Sequence, residues 1–422
     1  MVMATVQQKK PVYKPLKKYR YLLYSIINMD KDSQQIQKFI KKSAKKYREP
    51  NARFSQESRI FIQRIFHYIE KGSLSYKTNS SKISVKNIGQ LPTGKHYQLL
   101  ESDVKENIEQ RMRVFKIVEF EIEENGGKKR TFRIFMSFLK PTEETITEWI
   151  KRIYIWLYVA NHFAMPSCSN ALDIYIYYTD MKKTLPETDG YILDHENANT
   201  AFTFACNMPG SHDKNEIYIY RLEEWFKVLV HESFHSFGLD FASMDQTAVQ
   251  HRICSSGDIY QVPCGDLRFY ESYTEMWAEL IQCIFVCENN MDTLEMLVYE
   301  YEAPFSAFQC AKVLDHFGLV YEDLFDKEAA SGYKEETPVF AYYVIKSVFM
   351  NHADEFIRWT MQNNQGSLQF KKTQTNINHL ASLLKSLAHP YIEKMQMMDR
   401  VLDGPMNILL ASTMRMTCIS AI

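Results

Sequence analysis

Residues 231–235 read His-Glu-Ser-Phe-His, an H-E-x-x-H pattern. Positions four apart on an α-helix share a face, so the imidazoles of His231 and His235 can ligate one zinc ion at about 2.0–2.1 Å. Glu232, beside the first histidine, would reach a water whose pKa zinc lowers to about 7, and would take its proton as the water attacks a carbonyl. Val228, Leu229 and Val230 precede the motif, and Ser233, Phe234, Ser236 and Phe237 carry no charge. That context predicts a buried helix over about 222–237, with Gly238 as its stop. A chance match on an amphipathic surface helix is the alternative, and the apolar context argues against it.

A zinc site needs a third protein ligand. The metzincin pattern would place His or Asp ten residues after His231, where this chain has Phe241. Asp240 misses by one position and is expected to cap or bond locally. The stronger source is the next helix, where Glu271, Glu275 and Glu279 recur at intervals of four. They form one stripe among Tyr273, Met276, Trp277, Leu280 and Ile281. A solvated acidic face would need an apolar face opposite it alone. Here apolar residues surround the stripe, which points to a polar cleft inside the protein.

With these two helices the sequence resembles the gluzincin branch of zinc metallopeptidases. Glu275-Met-Trp-Ala-Glu279 is similar to the Glu-Phe-Phe-Ala-Glu segment of anthrax-lethal-factor-like peptidases. The resemblance covers about residues 199–287. It implies an α+β fold with a zincin-like core, in which a small mixed sheet carries the H-E-x-x-H helix and the glutamate helix. It also implies zinc as cofactor, a protein or peptide as substrate, His231, His235 and Glu275 as metal ligands, and Glu232 as general base. Glu279 would then orient a ligating histidine. Glu271 is the runner-up ligand. A tyrosine ahead of the glutamate helix would stabilise the oxyanion, which points to Tyr270 or Tyr273. Tyr260, His251 and His212 are more distant donors. Residues 199–205 are expected to form an edge strand that holds substrate backbone.

The elements that must position these groups are legible in outline. Residues 113–122 and 130–139 flank Asn125-Gly126-Gly127 and read as a β-hairpin. A helix follows from Thr142 to Phe163, then a strand over 171–178. A second strand pair, 199–206 and 215–220, leads into the active helix. Residues 15–70 and those beyond Asp292 read as helical. Four regions follow: a basic helical region 1–76, a linker and hairpin 77–140, a core 141–290 and a helical region 291–422.

The 422 residues are 45% hydrophobic, 14% aromatic and 24% charged, with a formal net charge of −1. This excludes a disordered chain and a uniformly basic nucleic-acid binder. Residues 1–60 carry 15 basic and four acidic side chains, so a +11 arm precedes a −12 body. The arm suits either a solvated helical face or an anionic partner. Eight cysteines are too sparse for a disulfide framework. Cys283 and Cys287 read as core residues, and Cys254 with Cys264 as the one candidate pair. The absence of a signal-like segment and of an 18-residue apolar run predicts an intracellular protein with no membrane-spanning helix. The rival reading keeps the zincin fold without turnover, as a structural or interaction protein docking through its basic arm within an assembly such as a virus particle.

Overall fold

The computed structural model describes residues 29–123, 129–206, 214–255, 257–263, 265 and 267–420. Strands β2 (Val114–Glu123) and β3 (Lys129–Phe138) pair antiparallel as the hairpin pattern predicts, with Val118 opposite Ile134 and Phe120 opposite Phe132. Their expected turn, residues 125–127, lies outside the described residues. Helix α4 (Glu143–Phe163) returns the chain so that β4 (Ala171–Tyr177) runs parallel to β3. Strand β6 (Lys214–Ile219) adds in parallel to β4, and β5 (Ala201–Thr203) adds antiparallel to β6 at the sheet's edge. At the other edge, β1 (Ser84–Ile88) pairs antiparallel with β2. The sequence reading treated this stretch as a connection, because its Ser and Lys residues hide a short, exposed strand.

The six-stranded order is β1-β2-β3-β4-β6-β5. The central strand β4 is buried from Leu172 to Tyr177, as expected of a strand covered on both faces. One face takes the large helical core. The other carries Tyr175, Tyr177, Tyr218 and Tyr220, packed against Tyr97, Leu100, Val104 and Ile108 from helix α3 (Ser102–Arg111) and the turn before it.

The helical body is built from α1 (Lys31–Ser43), α2 (Gln56–Asn79), α5 (Trp225–Ser236), α6 (Phe269–Val286), α7 (Met291–Leu297), α8 (Ala303–Asp315), α9 (Lys346–Asn351), α10 (Ala353–Asn363), α11 (Gln374–Ala388) and α12 (Tyr391–Leu402). One contiguous cluster of buried apolar side chains runs from Ile36 to Ile419 and crosses all four expected regions. The protein is therefore α+β, with a mixed sheet and predominantly helical surroundings. Among the described residues no helix is long and apolar enough to cross a membrane.

Two expectations change. The part of the basic arm that can be described is folded onto the body. Ile36 and Ile40 are buried, Arg59 pairs with Glu295 at 2.6 Å, and Arg48 pairs with Glu300. Lys38, Lys42, Lys45 and Lys46 remain exposed. Cys168 and Cys206 form a disulfide that the cysteine count did not anticipate, since only the fold brings residues 38 apart together. Cys254 is also disulfide-bonded, and its expected partner Cys264 lies outside the described residues. Cys283 and Cys287 are free and buried.

Candidate metal centre

Helix α5 is buried over all twelve residues. It starts at Glu224, whose backbone is left-handed (φ 59°). The Glu224 carboxylate accepts the backbone amides of Met416 (2.8 Å) and Thr417 (2.7 Å) and pairs with Lys183 at 2.5 Å. The helix ends as Gly238 predicts. Gly238 adopts φ +65°, its N–H donates to the His235 carbonyl, and the Leu239 N–H donates to the Phe234 carbonyl, a Schellman closure. A Cβ at Gly238 would lie 3.0 Å from both Cys168 Sγ and Met165 Sδ. The Cys206 N–H donates to the His235 carbonyl at 2.9 Å, so the disulfide and this bond tie the segment after β5 to the end of α5.

The two histidines meet the glutamate helix where the first acid of the stripe stands. His231 Nε2 and His235 Nε2 are 3.0 Å apart. Glu271 Oε2 lies 3.0 Å from the first and 3.3 Å from the second. On the far side of each ring, Nδ1 faces another carboxylate: His231 contacts Glu275 Oε2 at 2.8 Å, and His235 contacts Asp240. A carboxylate partner requires each Nδ1 to carry the hydrogen, so in the neutral rings both Nε2 lone pairs point at the Glu271 oxygen. Three electron pairs converging at this distance repel unless a metal ion, or a proton on a ring Nε2, stands among them. Ligands about 2.0–2.1 Å from a tetrahedral zinc ion would be about 3.3 Å apart, close to the three separations seen. The buried trio His231, His235 and Glu271 can thus hold a metal ion.

Among the protein groups alone, burial opposes the charge on His231, but hydrogen bonds to Glu271 and Glu275 outweigh it and raise its pKa. Burial also opposes the charge on His235, and Glu271 and Asp240 drive its pKa well above the usual value. Glu271 would be raised by burial, yet the two imidazoles hold it well below the carboxylate range. Burial likewise raises Glu232, with the imidazoles only partly countering it.

The structure corrects the sequence expectation by one helical turn. Glu275 is not at the convergence point. It sits behind His231, its other oxygen 2.6 Å from Lys227 Nζ, in the position beside a histidine Nδ1 that was expected of Glu279. Glu279 is fully buried beside Lys346 at 2.8 Å and has no bond to either histidine. The stripe was right but its register against α5 was not, because spacing within one helix says nothing about how two helices slide past each other.

His231, Glu232, His235, Glu271 and Tyr270 line a cleft of about 450 Å³ that also runs along residues 198–205. The Tyr270 ring lies 5.6 Å from that of His235. Tyr273 faces the core instead: it donates to the Leu368 carbonyl at 3.1 Å and accepts from Asn364 at 3.0 Å. Tyr260 is buried with its hydroxyl 2.8 Å from that of Tyr321, and His251 is exposed outside the cleft. His212 lies outside the described residues.

Three cleft residues had escaped the sequence reading. Tyr342 lies on the π-helical turn Phe340–Ile345, its ring 5.9 Å from His231. Met416 arrives from the buried segment 413–420. Lys227 carried a legible signal: a lone lysine inside Trp-Phe-Lys-Val-Leu-Val needs a buried acid to match it. The fold and site thus define an α+β protein with a buried His-His-Glu centre at the edge of a mixed sheet. No family description, curated protein or solved structure matches this chain.

Proposed function

We propose that the protein is a zinc-dependent metallopeptidase that hydrolyses peptide bonds in a protein or peptide substrate. The observation that carries this reading is the convergence of His231 Nε2, His235 Nε2 and Glu271 Oε2 within 3.0–3.3 Å, with Glu232 lining the same cleft. Two nitrogens and one carboxylate oxygen are the donor set of hydrolytic zinc sites with one position left open. Bound there, zinc would supply a water of pKa about 7 and a Lewis acid for the scissile carbonyl.

The protein's own groups do the rest. Glu232 accepts the proton of the attacking water and passes it to the leaving amine, a role that its burial-raised pKa favours. Tyr270 and Tyr342, both facing the cleft, are placed to donate to the developing oxyanion. Strand β5 is an edge strand whose residues line the cleft, so an extended peptide can add to it by backbone hydrogen bonds. The three disulfide-bonded cysteines, Cys168, Cys206 and Cys254, favour work in an oxidising setting over the intracellular one that the sequence suggested.

The test is direct. Purified protein should hold about one zinc per chain by atomic emission and cleave unstructured peptide, and Glu232→Gln should keep the metal while losing at least about 100-fold in kcat. Protein that binds no zinc would sink the reading.

A further inference from the structure

His231 and His235 are each backed by a carboxylate, but the two carboxylates are held differently. Asp240, behind His235, is anchored by the main chain: its second oxygen accepts the Ala242 N–H at 3.1 Å. Glu275, behind His231, has no backbone donor among its partners at the described residues. Its Oε2 takes His231 Nδ1 at 2.8 Å and its Oε1 takes Lys227 Nζ at 2.6 Å. Lys227 stands one turn ahead of His231 on α5, with a side chain 2% exposed. The Met416 sulfur lies 3.5 Å from its ammonium. The lysine therefore closes a chain of three buried groups, Lys227, Glu275 and His231, in the wall of the cleft.

We infer that Lys227 is a positioning residue for the metal centre: it pins the carboxylate of Glu275 so that His231 presents its Nε2 to the ion. This rests on the metal reading above. A buried carboxylate with one free oxygen is costly. Without the lysine, Glu275 would gain by swinging that oxygen toward another donor, and would abandon His231 Nδ1. Outer partners of this type usually change metal affinity by about 10–100-fold.

The test measures zinc dissociation constants by competition with a chromophoric chelator, with melting of the metal-free protein as control. Lys227→Met is expected to weaken zinc about 10–100-fold, and Lys227→Arg to recover most of the loss by restoring a cation. Leu229→Ala, a core truncation two residues on, should lower the melting temperature without changing zinc affinity. If Lys227→Met does not fold, Lys227→Gln, which keeps a neutral donor, should weaken zinc by a smaller factor. Wild-type affinity in a folded Met or Gln variant overturns the inference, as does equal weakening by Leu229→Ala. Wild-type protein that takes up no zinc overturns the metal reading itself, and the inference with it.

Discussion

Glu271 and Glu279 share a residue type, a helix and a helix face, two turns apart on α6, and both are buried. Burial pushes the Glu271 carboxyl upward, but the imidazoles of His235 and His231 reverse this and hold it well below the usual range. Burial pushes Glu279 the same way and wins: Lys346 opposes it, while Glu302 and Glu275 add to the rise. Glu275, between them, is held low against burial by Lys227 and His231. Along one stripe the charge state thus follows what the neighbouring helices bring. At the cleft end an acid faces two imidazoles across from α5. At the core end an acid competes with a second acid for one lysine of α9.

Zinc affinities of three glutamine variants would break or sharpen that contrast. The largest effect is expected for Glu271→Gln, which removes a ligand: zinc affinity should fall well beyond the roughly 100-fold ceiling usual for outer-sphere changes. Glu279→Gln should leave zinc affinity and stoichiometry unchanged. Equal losses in the two variants would show that the stripe has been placed in the wrong register. Next comes Glu275→Gln, expected to weaken zinc by about 10–100-fold without abolishing binding. Complete loss would restore Glu275 as the ligand.

Glu224 offers a fourth buried glutamate for comparison. Burial would raise its pKa, but Lys183, Lys227 and Arg415 bring it down to about 2. A folded-state pKa below the unfolded value adds stability that is present above about pH 4.5 and disappears as pH falls toward 2. Glu224→Gln should therefore cost about 3 kcal/mol at pH 7, and much less near pH 2.5, in denaturant titrations. Glu279 has the opposite sign. Its pKa rises on folding, so the folded chain keeps a proton that the unfolded chain releases, and stability drains away as pH rises above about 4.5. Glu279→Gln should then gain stability at pH 8 relative to its difference at pH 5. A pH-independent difference in melting would refute that account.

Much of the local structure was legible. The hairpin at β2 and β3 follows from alternating β-branched and aromatic residues, and the termination of α5 follows from Gly238. The burial of α5 follows from the apolar residues on either side of its motif, and free, buried Cys283 and Cys287 follow from the apolar run of α6. Strand β1 was missed because an exposed edge strand carries no hydrophobic alternation to read. The Cys168–Cys206 pair, Tyr342 and Met416 were missed for a shared reason: each reaches the site from a distant part of the chain.

The sequence by itself determined that two imidazoles and a carboxylate share one helix face, and that three acids form a stripe on another. Both are consequences of a period of 3.6 residues per turn, which needs no knowledge of the fold. Only the tertiary structure decided that Glu271 meets the histidines, Glu275 backs His231 through Lys227, and Glu279 is left with Lys346. Sliding α6 by about one turn along α5 would bring one acid of the stripe to the place of the next, so local pattern cannot choose the register. Packing against the sheet, α9 and the segment 413–420 makes that choice.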